Sequence, residues 1–89
     1  MSELYSVSTP HSVVPAKAKQ AKELLSFIMN LDGFFGVHAA NDAGILWFFN
    51  TKNDAIRGRN LMEFRGVRCG CNICRFVEQS DGTLVYADE

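Results

Sequence analysis

Cys69-Gly-Cys71-Asn-Ile-Cys74 puts three thiols within six residues. Thiolates this close together, on a loop that includes a glycine, can wrap one soft metal ion. Three ligands are one short of a closed zinc site, and His11 or His38 would have to complete it from a distant segment, whereas a zinc ribbon supplies two Cys-x2-Cys pairs. The thiols are therefore read as structural, with Cys74 a small core residue if a strand begins by Ile73, and neither metal nor cofactor is expected. His38 falls inside a strand pattern, where a polar-face or hydrogen-bonded histidine is far commoner than a general base. There is no nucleophile elbow and no glycine-rich strand-to-helix loop, so the chain is not expected to be an enzyme.

The second chemical resource is aromatic. Ile45-Leu-Trp-Phe-Phe49 alternates along a strand, so Ile45, Trp47 and Phe49 share one face while Leu46 and Phe48 share the other. One set has to meet the helices, and the other lies on the open side of the sheet. Charge is the third resource. Residues 51–76 carry Lys52, Arg57, Arg59, Arg65, Arg68 and Arg75 against Asp54 and Glu63, a local +4, whereas residues 77–89 hold four acids and no base. Such asymmetry serves as ordinary solvated surface or as a patch for a polyanion. Lys52, Arg57 and Arg59 belong to a helix pattern, while Arg68 and Arg75 flank the start of the fourth strand and are the pair placed to meet phosphates on the sheet.

The elements that position these groups follow from length and pattern. Eighty-nine residues, 47% hydrophobic and 11% aromatic, make one domain (residues 1–89) with one core and no need of staples. The longest apolar run, Ile45 to Phe49, is far shorter than the roughly 20 residues that cross a bilayer. Met1 to Pro10 has neither the basic start nor the apolar core of a signal peptide, and the bunched, odd-numbered cysteines suit a reducing compartment. A cytoplasmic location without membrane contact is the expectation.

Leu4 to Thr9 alternates as strand one, with Ser6 and Ser8 on its solvent side and Tyr5 and Val7 turned inward. Pro15 opens a helix in which Val14, Ala18, Ala21, Leu25 and Ile28 recur at steps of three and four, ending near Asn30 with Gly33 beyond. Phe34 to Ala40 reads as strand two, Asn41 to Gly44 as a hairpin turn and Ile45 to Asn50 as strand three. Thr51-Lys-Asn-Asp54 has the form of a capping box, so the second helix starts near Lys52, with Ala55, Gly58 and Met62 inward. Gly58 costs about 1 kcal/mol of helix propensity relative to Ala, which a close approach of helix to sheet would offset. Ile73 to Glu78 is strand four, Ser80-Asp-Gly82 a tight turn, and Thr83 to Ala87 an edge strand. The class is α+β: a βαββαβ sandwich with two helices on one face of an antiparallel sheet and an added C-terminal hairpin strand.

Gly44 to Gly66 resembles the RNA-recognition-motif group of the ferredoxin-like fold, in which a Gly/aromatic strand leads into a helix of the form Asp-Ala-x-x-Ala-x-x-x-Leu. Asp54-Ala55-x-x-Gly58-x-x-x-Met62 is similar to that helix, Gly66 to the glycine after it, and Leu4-Tyr5-Ser6-Val7 to the aromatic-bearing first strand. The likeness spans residues 3 to 78. Where the third-strand signature has a base and then alternating Gly and aromatic residues, this chain has Ala43, Gly44, Ile45, Leu46 and Trp47. The resemblance implies a register with Leu46 and Phe48 in the core and Ile45, Trp47 and Phe49 exposed. It implies a platform on which bases of single-stranded RNA or DNA stack at roughly 1–3 kcal/mol each, with Tyr5 beside it and Arg68 and Arg75 on phosphates. The alternative is a protein-interaction or homodimerisation module that uses the same apolar face.

Overall fold

The computed structural model describes residues 3–10, 18–40, 44–70 and 72–87. Its elements run β1 (Glu3–Thr9), α1 (Ala18–Met29), β2 (Phe34–Ala40), β3 (Gly44–Phe49), α2 (Lys52–Phe64), β4 (Cys74–Glu78) and β5 (Leu84–Ala87). The expected start of the first helix around Val14 and Pro15 and the turn at residues 41–43 lie outside the described residues. The five strands form one antiparallel sheet in the order β2-β3-β1-β4-β5. β1 is central, which suits its near-continuous burial.

α2 forms where the capping box places it. Thr51 is extended (φ −132°, ψ 160°) and its hydroxyl accepts the Asp54 N–H at 3.0 Å, which satisfies one of the helix's orphan donors. The other end closes as a Schellman motif. Gly66 (φ +85°) donates to the Glu63 carbonyl and Val67 to the Met62 carbonyl, both at 2.9 Å, and Val67 and Met62 meet in the core. At β4–β5, Gln79 donates to the Thr83 carbonyl and Gly82 to the Gln79 carbonyl, closing the turn read from Ser80-Asp81-Gly82.

One core layer joins both helices to the same sheet face. Val7, Trp47 and Phe49 from the strands pack with Ile28 of α1, Ala55 and Met62 of α2, and Val67, and Leu24, Leu25 and Phe27 close the α1 side. Gly58 sits directly on this layer. A Cβ there would lie 2.4 Å from Cζ and 2.6 Å from Cε2 of Phe49, so the close approach inferred from the glycine is present. The Phe49 ring is held edge-on by Phe34, at 5.8 Å between centroids. Among the described residues no helix is long and apolar enough to cross a membrane.

Candidate binding face

Cross-strand register decides which side of β3 meets the helices. Tyr5 pairs with Phe49, Val7 with Trp47 and Thr9 with Ile45, and directly opposed residues in a sheet share a face. The inward turn of Tyr5 and Val7 therefore carries Ile45, Trp47 and Phe49 inward too. Trp47 and Phe49 are 0% exposed, and Ile45 and Tyr5 pack partly buried against the same core. The platform implied by the resemblance is thus inverted: these four side chains are brought together, but as the helix-side core. The reason is chemical as well as geometric. The indole Nε1–H of Trp47 donates to Thr9 Oγ1 at 2.8 Å within the buried layer, and the missing side chain at Gly58 makes room for Phe49.

The expected phosphate pair separates as well. Arg75 opposes Tyr5 across the β1–β4 ladder and so lies on the helix side, where its guanidinium bonds the carboxylate of Glu3. Arg68 is exposed on the connection between α2 and β4. The other bases of the +4 region are distributed rather than focused. Arg57 bridges Asp32 and Asp54, each at 3.5 Å, and Arg65 lies 4.2 Å over the Phe27 ring.

The opposite face, which neither helix covers, carries the even-numbered residues of β1, β3 and β4. A chain of edge-to-face rings crosses it: His38 to Phe48 (5.7 Å), Phe48 to Phe76 (5.1 Å) and Phe76 to Tyr86 (5.6 Å). The middle step spans β1, because Phe48 and Phe76 stand on β3 and β4, whose backbones are two strand spacings of about 4.8 Å apart. The rings close that gap by leaning toward each other across β1, where Phe76 opposes Leu4 and Phe48 opposes Ser6, which is only 2% exposed. Its hydroxyl donates to the Cys74 carbonyl at 3.4 Å, so the small buried polar group is satisfied. Phe48 and Leu4 are buried at the middle of this face, Leu46 and Phe76 are half-buried, and His38 and Tyr86 stand exposed at its two sides. Glu78 is the one charged side chain among the described strand residues here.

Only part of the signal for this row is in the sequence. Ser6 and Ser8 mark one side of β1, but carrying that side across to Phe48 and Phe76 requires both the partner of each strand and its register. The two described thiols also part company. Cys74 opposes Ser6 on the helix-free face, while Cys69 packs half-buried against the helix-side core and donates to the Val67 carbonyl at 3.6 Å. Burial and the nearby Glu63 carboxylate push the Cys69 thiol up from 9.0 to about 11, so it is protonated and unreactive at neutral pH.

Comparison with family models, curated proteins and solved structures gives no match to this chain.

Proposed function

We propose that this chain is a non-enzymatic interaction module of ferredoxin-like architecture whose helix-free sheet face seats an apolar segment of a partner protein. The architecture rests on two interlocked units: β1-α1-β2 has β3 inserted between its strands, and β3-α2-β4 has β1 inserted between its own. That is the split β-α-β pattern, with β5 added outside β4. The observation that carries the function is the row His38, Phe48, Phe76 and Tyr86, an apolar and aromatic strip without a cation among the described strand residues. His38 and Tyr86 stand exposed at its ends around the buried Phe48 and half-buried Phe76, and aromatic enrichment with depletion of charge is the composition of protein-interface centres.

A second reading, single-stranded RNA or DNA stacked on the same rings, is favoured by Tyr86, which is 57% exposed beside Phe76. It ranks below the first because Arg75 is turned away and bonded to Glu3, and phosphate contacts supply most nucleic-acid affinity.

One experiment separates the two. A photoreactive phenylalanine analogue placed at position 86 is irradiated in cells, in the otherwise native chain and in a Phe76→Glu background. A discrete, nuclease-resistant protein adduct that Phe76→Glu abolishes supports the first reading. A nuclease-sensitive adduct moves the assignment to nucleic acid, and the absence of any adduct sinks both.

A further inference from the structure

We infer that β2 is a pairing edge for a second copy of this chain, joining two five-stranded sheets antiparallel through Gly36–His38. Among the described residues β2 and β5 are the two rims of the sheet, and they differ in how they are protected. β5 has four residues, opposes Glu78, follows a turn containing Asp81 and leads in sequence to Asp88 and Glu89. Short length and like charges are standard defences of an exposed strand edge, and acids on both partners would repel a β5–β5 pair. β2 has seven residues, Phe-Phe-Gly-Val-His-Ala-Ala, with no charge and no proline. Its one irregularity is a register shift between Phe34 and Gly36, which leaves Gly36 to Ala40 as a regular ladder against β3. Phe35 (48%) and Val37 (45%) are large apolar side chains left exposed on it.

The strand is complementary to itself. A two-fold axis through Val37 sets Val37 against its own copy and His38 against Gly36 of the second chain, as a closed isologous pair requires. Gly36 has open space where a side chain would stand, with nothing within 4 Å of an added Cβ. The imidazole of the second copy's His38 therefore has room beside Phe48, the ring that His38 already meets edge-on within its own chain. Pairing would satisfy the outward N–H and C=O groups of both strands and give a continuous sheet of twice the width. The inference concerns the rim of the sheet and stands whatever the face binds.

The test is sedimentation equilibrium of the full chain over micromolar to millimolar concentration, alongside hydrogen exchange of its amides at the two extremes. The expected result is a reversible dimer, with amides of β2 protected only at high concentration and those of β5 unchanged. Val37→Lys puts two ammonium groups across the axis at a half-exposed site and is expected to weaken the dimer by about tenfold or more. Its far-UV spectrum should match the parent. A chain that stays monomeric throughout overturns the inference. So does a dimer whose β2 exchange is independent of concentration, a result readable from the native chain alone.

Discussion

Replacing Gly58 by alanine sets two opposing terms against each other. In an exposed helix interior the change gains about 1 kcal/mol of propensity. Here the new methyl would sit 2.4 Å from Cζ of Phe49, whereas carbon atoms at rest lie about 3.5–4.0 Å apart, so either ring or helix has to give by more than about 1 Å. The ring has little freedom, being fully buried and held by Phe34. Lifting α2 instead would loosen Ala55 and Met62, both at 0% exposure. Overpacking of this kind costs roughly 1–3 kcal/mol, and with the ring pinned the upper part of that range applies. The net expectation is a loss of about 1–2 kcal/mol, or roughly 5–15 °C in Tm for a domain of this size. Thermal and urea denaturation of Gly58→Ala, Phe49→Leu and the double variant would measure it. The double variant should be more stable than additivity allows by about 0.5 kcal/mol or more, since the shorter side chain vacates the contested space. Asn60→Ala, on the exposed side of α2, reports propensity alone and should gain a few tenths of a kcal/mol. A Gly58→Ala protein at least as stable as its parent, or an additive cycle, would refute the close-contact reasoning.

Other consequences are open to simpler measurements. Trp47 emission should be blue-shifted and resistant to iodide, and Thr9→Val, which strands the buried indole N–H, should cost about 1–3 kcal/mol in denaturant titrations; iodide-quenched Trp47 emission in the native chain would contradict the core assignment. Ser6→Leu inserts a branched side chain at a buried position opposite Phe48, and should lower stability by about 1–3 kcal/mol, whereas Ser6→Ala should be much milder. Because the folded Cys69 thiol lies above its ordinary value of 9.0, at about 11, it binds its proton more tightly than in the unfolded chain. Its contribution is complete below pH 9 and fades as pH rises toward 11, so a Cys69→Ala variant should show a shallower alkaline decline in Tm than its parent. Thr51→Ala removes the oxygen that caps Asp54 N–H and should cost about 1 kcal/mol, read by the same denaturation assay.

The elements were legible because each has a local cause. Thr51 and Gly66 bound α2 through hydrogen bonds made within a few residues, and the aromatic and β-branched residues that favour strands in Phe34–Ala40 and Gly44–Phe49 need no knowledge of the partner strand. Gly58 even announced a tertiary fact, because a helix interior keeps a costly glycine where something stands close against it. The candidate site was not legible in this way. Ile45, Trp47 and Phe49 were separated correctly from Leu46 and Phe48, yet both sets are apolar, so alternation carried no sign telling which one the helices cover. The serines of β1 held that sign, but reading it across required the Tyr5–Phe49 register.

By itself, then, the sequence determined the α+β class, the order and most boundaries of the strands and helices, and the need for a tight contact at Gly58, all through forces acting between near neighbours. The tertiary structure alone decided which face of β3 is core, that Arg75 answers Glu3 rather than standing on the open face, and that His38, Phe48, Phe76 and Tyr86 form one row. Those facts depend on which strands lie side by side. That choice is made by the joint packing of segments as far apart as β1 and β4, and no local propensity encodes it.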